Sequence, residues 1–79
     1  MSYGYSARLI ELNRQADRRL LGVRLGRICI EQGVPVSDVA SELGVTRQTI
    51  YNWFCGESEP TTSSVGAVEA LLSKYANEE

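Results

Sequence analysis

The sequence predicts an all-α fold, a compact domain of four to five helices, and three observations predict it. Apolar residues recur at spacings of three and four along most of the chain. Gly33, Gly44 and Gly56 fall just past the ends of such runs, where helices commonly terminate. Nothing reads as a strand, since the longest β-branched stretch, around Val34–Val36, is interrupted by Pro35.

Each element has its own signal. Ser6 is a side-chain N-cap for a first helix carrying Leu9, Leu12 and Ala16 at helical spacing. A stronger helix runs from about Asp17 to Gln32, aligning Leu21, Leu25, Ile28 and Cys29, with Gly33 as its stop. The pattern leaves open whether these two helices are continuous, Asp17 being a candidate cap for the second. Pro35 suits the first turn of a third helix, which carries Val39, Ala40 and Leu43 inward and ends at Gly44. Thr46 caps a fourth helix, running to about Phe54 and closed by Gly56. After the loop Glu57–Thr61, a last helix covers Thr62–Ala76, with Val65, Val68, Leu71, Leu72 and Tyr75 as its apolar stripe. The chain thus divides into an N-terminal arm and extra helix (1–16), a main helical domain (17–76) and an acidic tail (77–79).

Composition narrows the function classes. A chain of 79 residues holds one small core, burying about 60% of its unfolded surface. That leaves no room for a separate sensing domain, so no small-molecule effector is expected. Apolar residues make up 43% and charged residues 23%, as in ordinary globular domains. No apolar run approaches a membrane span and residues 1–6 carry no basic leader, so the expectation is a cytoplasmic protein without a membrane partner. Two cysteines, Cys29 and Cys55, and no histidine argue against a disulfide framework, a metal site or histidine-based catalysis. Neither a phosphate-binding loop nor a catalytic carboxylate pair is evident, so no cofactor and no enzyme activity is expected. The net charge of −2 is polarised: seven of the eight basic residues precede Gly56, whereas five glutamates face Lys74 alone beyond it.

The segment VASELGVTRQTIYNWF, residues 39–54, carries the strongest signal. A helix that ends only a few residues before another begins needs a left-handed backbone position, which Gly44 adopts without a Cβ penalty. Ala40 is small where the two helices approach most closely, and Val39, Leu43, Val45, Ile50 and Trp53 supply their shared core. Arg47, Gln48, Tyr51 and Asn52 fall on the other side. This is the sequence form of a helix-turn-helix.

From Leu21 to Leu72 the chain resembles the Cro/repressor (xenobiotic-response-element type) helix-turn-helix family. The matching residues are Leu21-Gly22, Leu25, Gly33-Val34, Val39-Ala40, Leu43-Gly44-Val45-Thr46, Ile50, Trp53, Gly56 and Pro60. The resemblance implies a lambda-repressor-like fold and sequence-specific binding of double-stranded DNA, with the helix Thr46–Phe54 in the major groove. It implies base contacts from Arg47, Gln48, Tyr51 and Asn52, and phosphate contacts from Thr46, Thr49 and Ser58. The residue chemistry agrees, because arginine pairs bidentately with guanine and an amide with adenine. Tyr51 has the alternative of packing against a neighbouring helix. The pattern departs at Val36 and Pro35, where the family carries a phosphate-contacting glutamine and a hydroxyl cap, and in the acidic loop Glu57 and Glu59. Modest affinity that depends on dimerisation follows. Many members carry an arginine and a glutamate at the positions of Cys29 and Phe54, linked as an ion pair. The joint exchange implies that Cys29 and Phe54 are buried close together. Trp53-Phe54 is also similar to a pair in homeodomains, but the following Cys55-Gly56-Glu57 lacks their basic continuation, so the Cro/repressor reading is preferred.

The function so implied is a small Cro-type transcriptional repressor without an effector domain, from a phage, a mobile element or an antitoxin-like system. It would bind a two-fold symmetric operator as a homodimer. Leu20, Val23 and Ile30, on a second face of the helix from Asp17, point to an interface, either directly or through the N-terminal helix; the other reading is that this helix folds back and covers them. The alternative function is a protein-interaction module on the same scaffold, binding polymerase, a toxin or another regulator through its acidic end.

Overall fold

A computed structural model describes residues 5–76, so the acidic tail expected at 77–79 lies outside the described residues. The described chain forms five helices and no strand: α1 (Ala7–Gln15), α2 (Leu21–Gln32), α3 (Val36–Leu43), α4 (Arg47–Cys55) and α5 (Thr62–Ala76). The all-α expectation therefore holds, in its five-helix form.

Local chemistry sets most of the boundaries. Ser6 and Thr46 each accept a hydrogen bond from a backbone N–H three residues on, Leu9 and Thr49 respectively. At the other ends Gly33, Gly44 and Gly56 take φ of 72°, 69° and 80°, and the next residue's N–H returns to a carbonyl five positions back. Two starts differ from the sequence reading. Helices α1 and α2 are separate, and α2 begins at Leu21 rather than near Asp17. The Asp17 carboxylate accepts bonds from the Arg19 backbone at 2.9 Å and from its guanidinium, which holds a turn instead of capping α2. Those bonds also keep the Asp17 carboxyl below its ordinary pKa. Pro35 stands at the N-cap of α3, one position before the first turn.

The core gathers around α2. Leu25 and Cys29 meet Val39, Ile50 and Phe54 from the helix-turn-helix and Val68 from α5, all fully buried. Helix α4 lies across α2 at very close range. A Cβ on Gly22 would come within 2.7 Å of the Trp53 Cβ, and one on Gly26 within 2.7 Å of the Phe54 ring. Two glycines one turn apart thus form the seat that α4 occupies. Val36 is buried as well, so the residue standing in place of the expected phosphate contact serves the core.

Helix α1 folds back over α2 and α4. Asn13, fully buried, is the hub of that packing. Its Nδ2 donates to the Phe54 carbonyl at 2.8 Å and to the Val23 carbonyl at 3.2 Å, while its Oδ1 accepts from Arg27 Nε at 3.2 Å. The Phe54 carbonyl is in the last turn of α4, where helices leave carbonyls without an internal partner. Asn13 therefore caps α4 from a different helix. Tyr5 completes the cover, stacking on Phe54 at 6.3 Å between centroids and donating its hydroxyl to the Val34 carbonyl. This corrects the interface expectation for α2: Val23 is fully buried and Leu20 and Ile30 are half-buried, so that face is not open for direct pairing.

Candidate nucleic-acid interface

Helix α4 presents two chemically different sides. Ile50, Trp53 and Phe54 face the core and are buried. Arg47 and Gln48 are exposed, and Asn52 is half-exposed beside them. Gln48 Nε2 donates to Asn52 Oδ1 at 3.0 Å, so the two amides, one turn apart, orient each other. That pairing leaves the Gln48 Oε1 as an acceptor and the Asn52 Nδ2 as a donor toward solvent. Tyr51 is half-buried and packs against the core cluster, which is the packing alternative raised for it.

The hydroxyl residues divide between the two ends of the helix. Thr46 is exposed and caps α4, and its Oγ1 stands 3.0 Å from that of the half-buried Thr49. Ser58 is exposed in the loop beyond Gly56, and its N–H reaches back to the Asn52 carbonyl at 3.4 Å. Nine helical residues separate the ends by about 13 Å. The first turn of α4 carries Arg47 and no carboxylate, so the positive end of the helix dipole is left uncancelled. Of the motif residues, Val39, Ala40, Ile50 and Trp53 are buried, Leu43 and Val45 are half-buried, and Gly44 occupies the exposed turn.

Sequence reasoning missed the neighbour of this surface. Helix α1 runs beside α4, and a cleft of about 400 Å³ separates them. Ser6, Arg8, Leu9 and Leu12 form one wall; Gln48, Tyr51, Asn52, Cys55 and Glu57 form the other. Arg8 carries no local signal that sets it apart from the other surface arginines. The two cysteines differ in kind. Cys29 is fully buried and free, and burial pushes its thiol up to about 12. Cys55 is half-exposed on α4; burial and then the Glu57 carboxylate raise its pKa, and Arg8 acts in the opposite sense. Cys29 and Phe54 share the one core cluster and are both fully buried, as their joint departure from the ion pair implied.

Comparison with known families decides the class. The family model of a homeodomain-like domain matches residues 13–59, more than half of the chain. The chain belongs to this homeodomain-like helix-turn-helix family. The match covers α2, α3 and α4 and begins at Asn13. Neither the curated proteins nor the solved structures offer a match. The homeodomain likeness of Trp53-Phe54, set aside on account of Cys55-Gly56-Glu57, lies within the matched stretch. Its physical reason is plain: Trp53 and Phe54 are core residues that set the fold, whereas the three that follow only end the helix. Membership in a helix-turn-helix family supports DNA binding as the general role. No helix among the described residues is long and apolar enough to cross a membrane.

Proposed function

We propose that this protein is a sequence-specific double-stranded DNA-binding transcriptional regulator that inserts α4 into the major groove. The observation that carries this reading is the two-sided chemistry of α4, whose solvent side offers Arg47, Gln48 and Asn52 while its other side is locked into the core. Arg47 is the guanine reader, and the coupled Gln48–Asn52 amides suit adenine. Thr46, Thr49 and Ser58 serve as phosphate donors at either end, and the positive end of α4 adds to them.

The finer reading is a small Cro-type repressor, cytoplasmic and without cofactor or enzymatic activity, that acts by occupying its operator. It draws on the Cro/repressor resemblance, which extends through α5 beyond the residues of the homeodomain-like match. A single reading helix makes a small footprint, so we propose that two copies bind a two-fold symmetric site with centres about 34 Å apart. The interaction-module reading draws on the net charge of −2 and on the acidic Glu57 and Glu59 beside α4.

Selection from randomised duplexes across a salt series tests the choice. A regulator enriches a short symmetric site and loses affinity steeply as salt rises. Enrichment of nothing would defeat the DNA-binding reading.

A further inference from the structure

The cleft between α1 and α4 borders the reading surface along two helical turns, through Gln48, Asn52 and Cys55. Helix α1 is held there by Asn13 and the Tyr5–Phe54 stack. An α-helix with its side chains is about 10–12 Å across and the major groove about 12 Å wide. The groove therefore takes α4 alone. With α4 inserted, α1 must stand outside, across the strand that borders the groove. The cleft between the two helices then lies beside that strand.

We infer that this cleft is a seat for the phosphodiester backbone of one DNA strand and that Arg8 is its phosphate contact. The inference rests on the DNA-binding reading above and adds to it a residue outside both family resemblances. Arg8 is exposed, and it has no ion-pair partner among the described residues. Its charge is felt at Cys55, on the opposite wall. Leu12, 37% exposed and the one large hydrophobic residue so open among the described residues, offers an apolar wall to a sugar face. Glu57 borders the same space and opposes a phosphate there, which weakens binding without altering sequence preference.

The test uses the full chain on the duplex that selection enriches and on a scrambled duplex, each titrated across salt. Arg8→Ala is expected to weaken both by a similar factor and to reduce the slope of log affinity against log salt by about 1 for each bound copy. Arg8→Lys restores the slope, and Glu57→Gln tightens binding to both duplexes. Phosphate ethylation interference on the selected duplex should lose one sensitive position per half-site in Arg8→Ala. Arg14→Ala, an exposed α1 residue outside the cleft, is expected to leave slope and footprint unchanged. An unchanged slope and interference pattern in Arg8→Ala, with unaltered thermal unfolding, overturns the inference. So does a loss confined to one base pair of the selected site, which would make Arg8 a base reader. If a site is enriched and Arg8 is silent, only the cleft assignment fails; if none is enriched, the DNA-binding reading fails with it.

Discussion

The inward and outward sides of α4 obey different rules. Inward, Phe54 and Trp53 rest on the glycine seat of α2, and the last turn is capped by Asn13. Outward, the Arg47 guanidinium meets no partner among the described residues, and the Gln48 and Asn52 side chains bond only to each other. One side fixes where the helix lies; the other, in the function proposed above, decides what it touches. The angle of presentation is thus set by residues that never face a ligand, and the presented residues can change without disturbing the fold.

Substitutions should separate the two sides cleanly. Phe54→Ala has the largest expected effect, a loss of about 3–5 kcal/mol in urea denaturation, as core phenylalanine truncations do. A loss below about 1 kcal/mol would dissolve the contrast between the sides. Asn13→Ala comes next: each polar group left buried without its bond costs about 1–3 kcal/mol, and the Phe54 carbonyl is the most exposed to that cost. Gly26→Ala should lose about 1–3 kcal/mol through overpacking, because the added Cβ meets the Phe54 ring and Asn13. The buried thiol gives a pH signature. Cys29 titrates near 9.0 when unfolded and near 12 when folded, so the protonated form is favoured by folding. Its contribution is fully present below about pH 9 and is lost as pH rises toward 12; the urea midpoint should fall over that window, and less so in Cys29→Ala. Arg47→Ala is the smallest in stability, within about 0.5 kcal/mol. On the selected duplex it should nevertheless cost about 1–3 kcal/mol per half-site, at one base pair in each. An equal loss on all duplexes would move Arg47 from reading bases to holding phosphate.

The outward side was largely legible in the sequence, and the inward side only in part. Thr46 as a cap, Gly44 as the turn and Thr62–Ala76 as the last helix follow from local rules, and local rules act over three or four residues. The polar stripe on α4 is legible for the same reason. Asn13 was not. A polar residue in an amphipathic helix reads as solvated, and its decisive partner is 41 positions away. Gly26 is equally silent, since only the approach of α4 gives its missing side chain a meaning. Asp17 misled because one carboxylate can cap a helix or hold a turn, and Arg19 two positions on decided for the turn. The second apolar face of α2 was legible as a face, but what covers it depends on where α1 folds.

The Asn13 bond to Phe54 also ties the opening of two distant segments together. Were α1 to peel away, Val23 and the Phe54 ring would meet water, and the end of α4 would lose its cap in the same event. The amides that this transition exposes belong to one cooperative unit drawn from α1 and the end of α4. Native-state exchange should accordingly report a single opening free energy for α1 and the last turn of α4, although the chain separates them by the whole of α2 and α3.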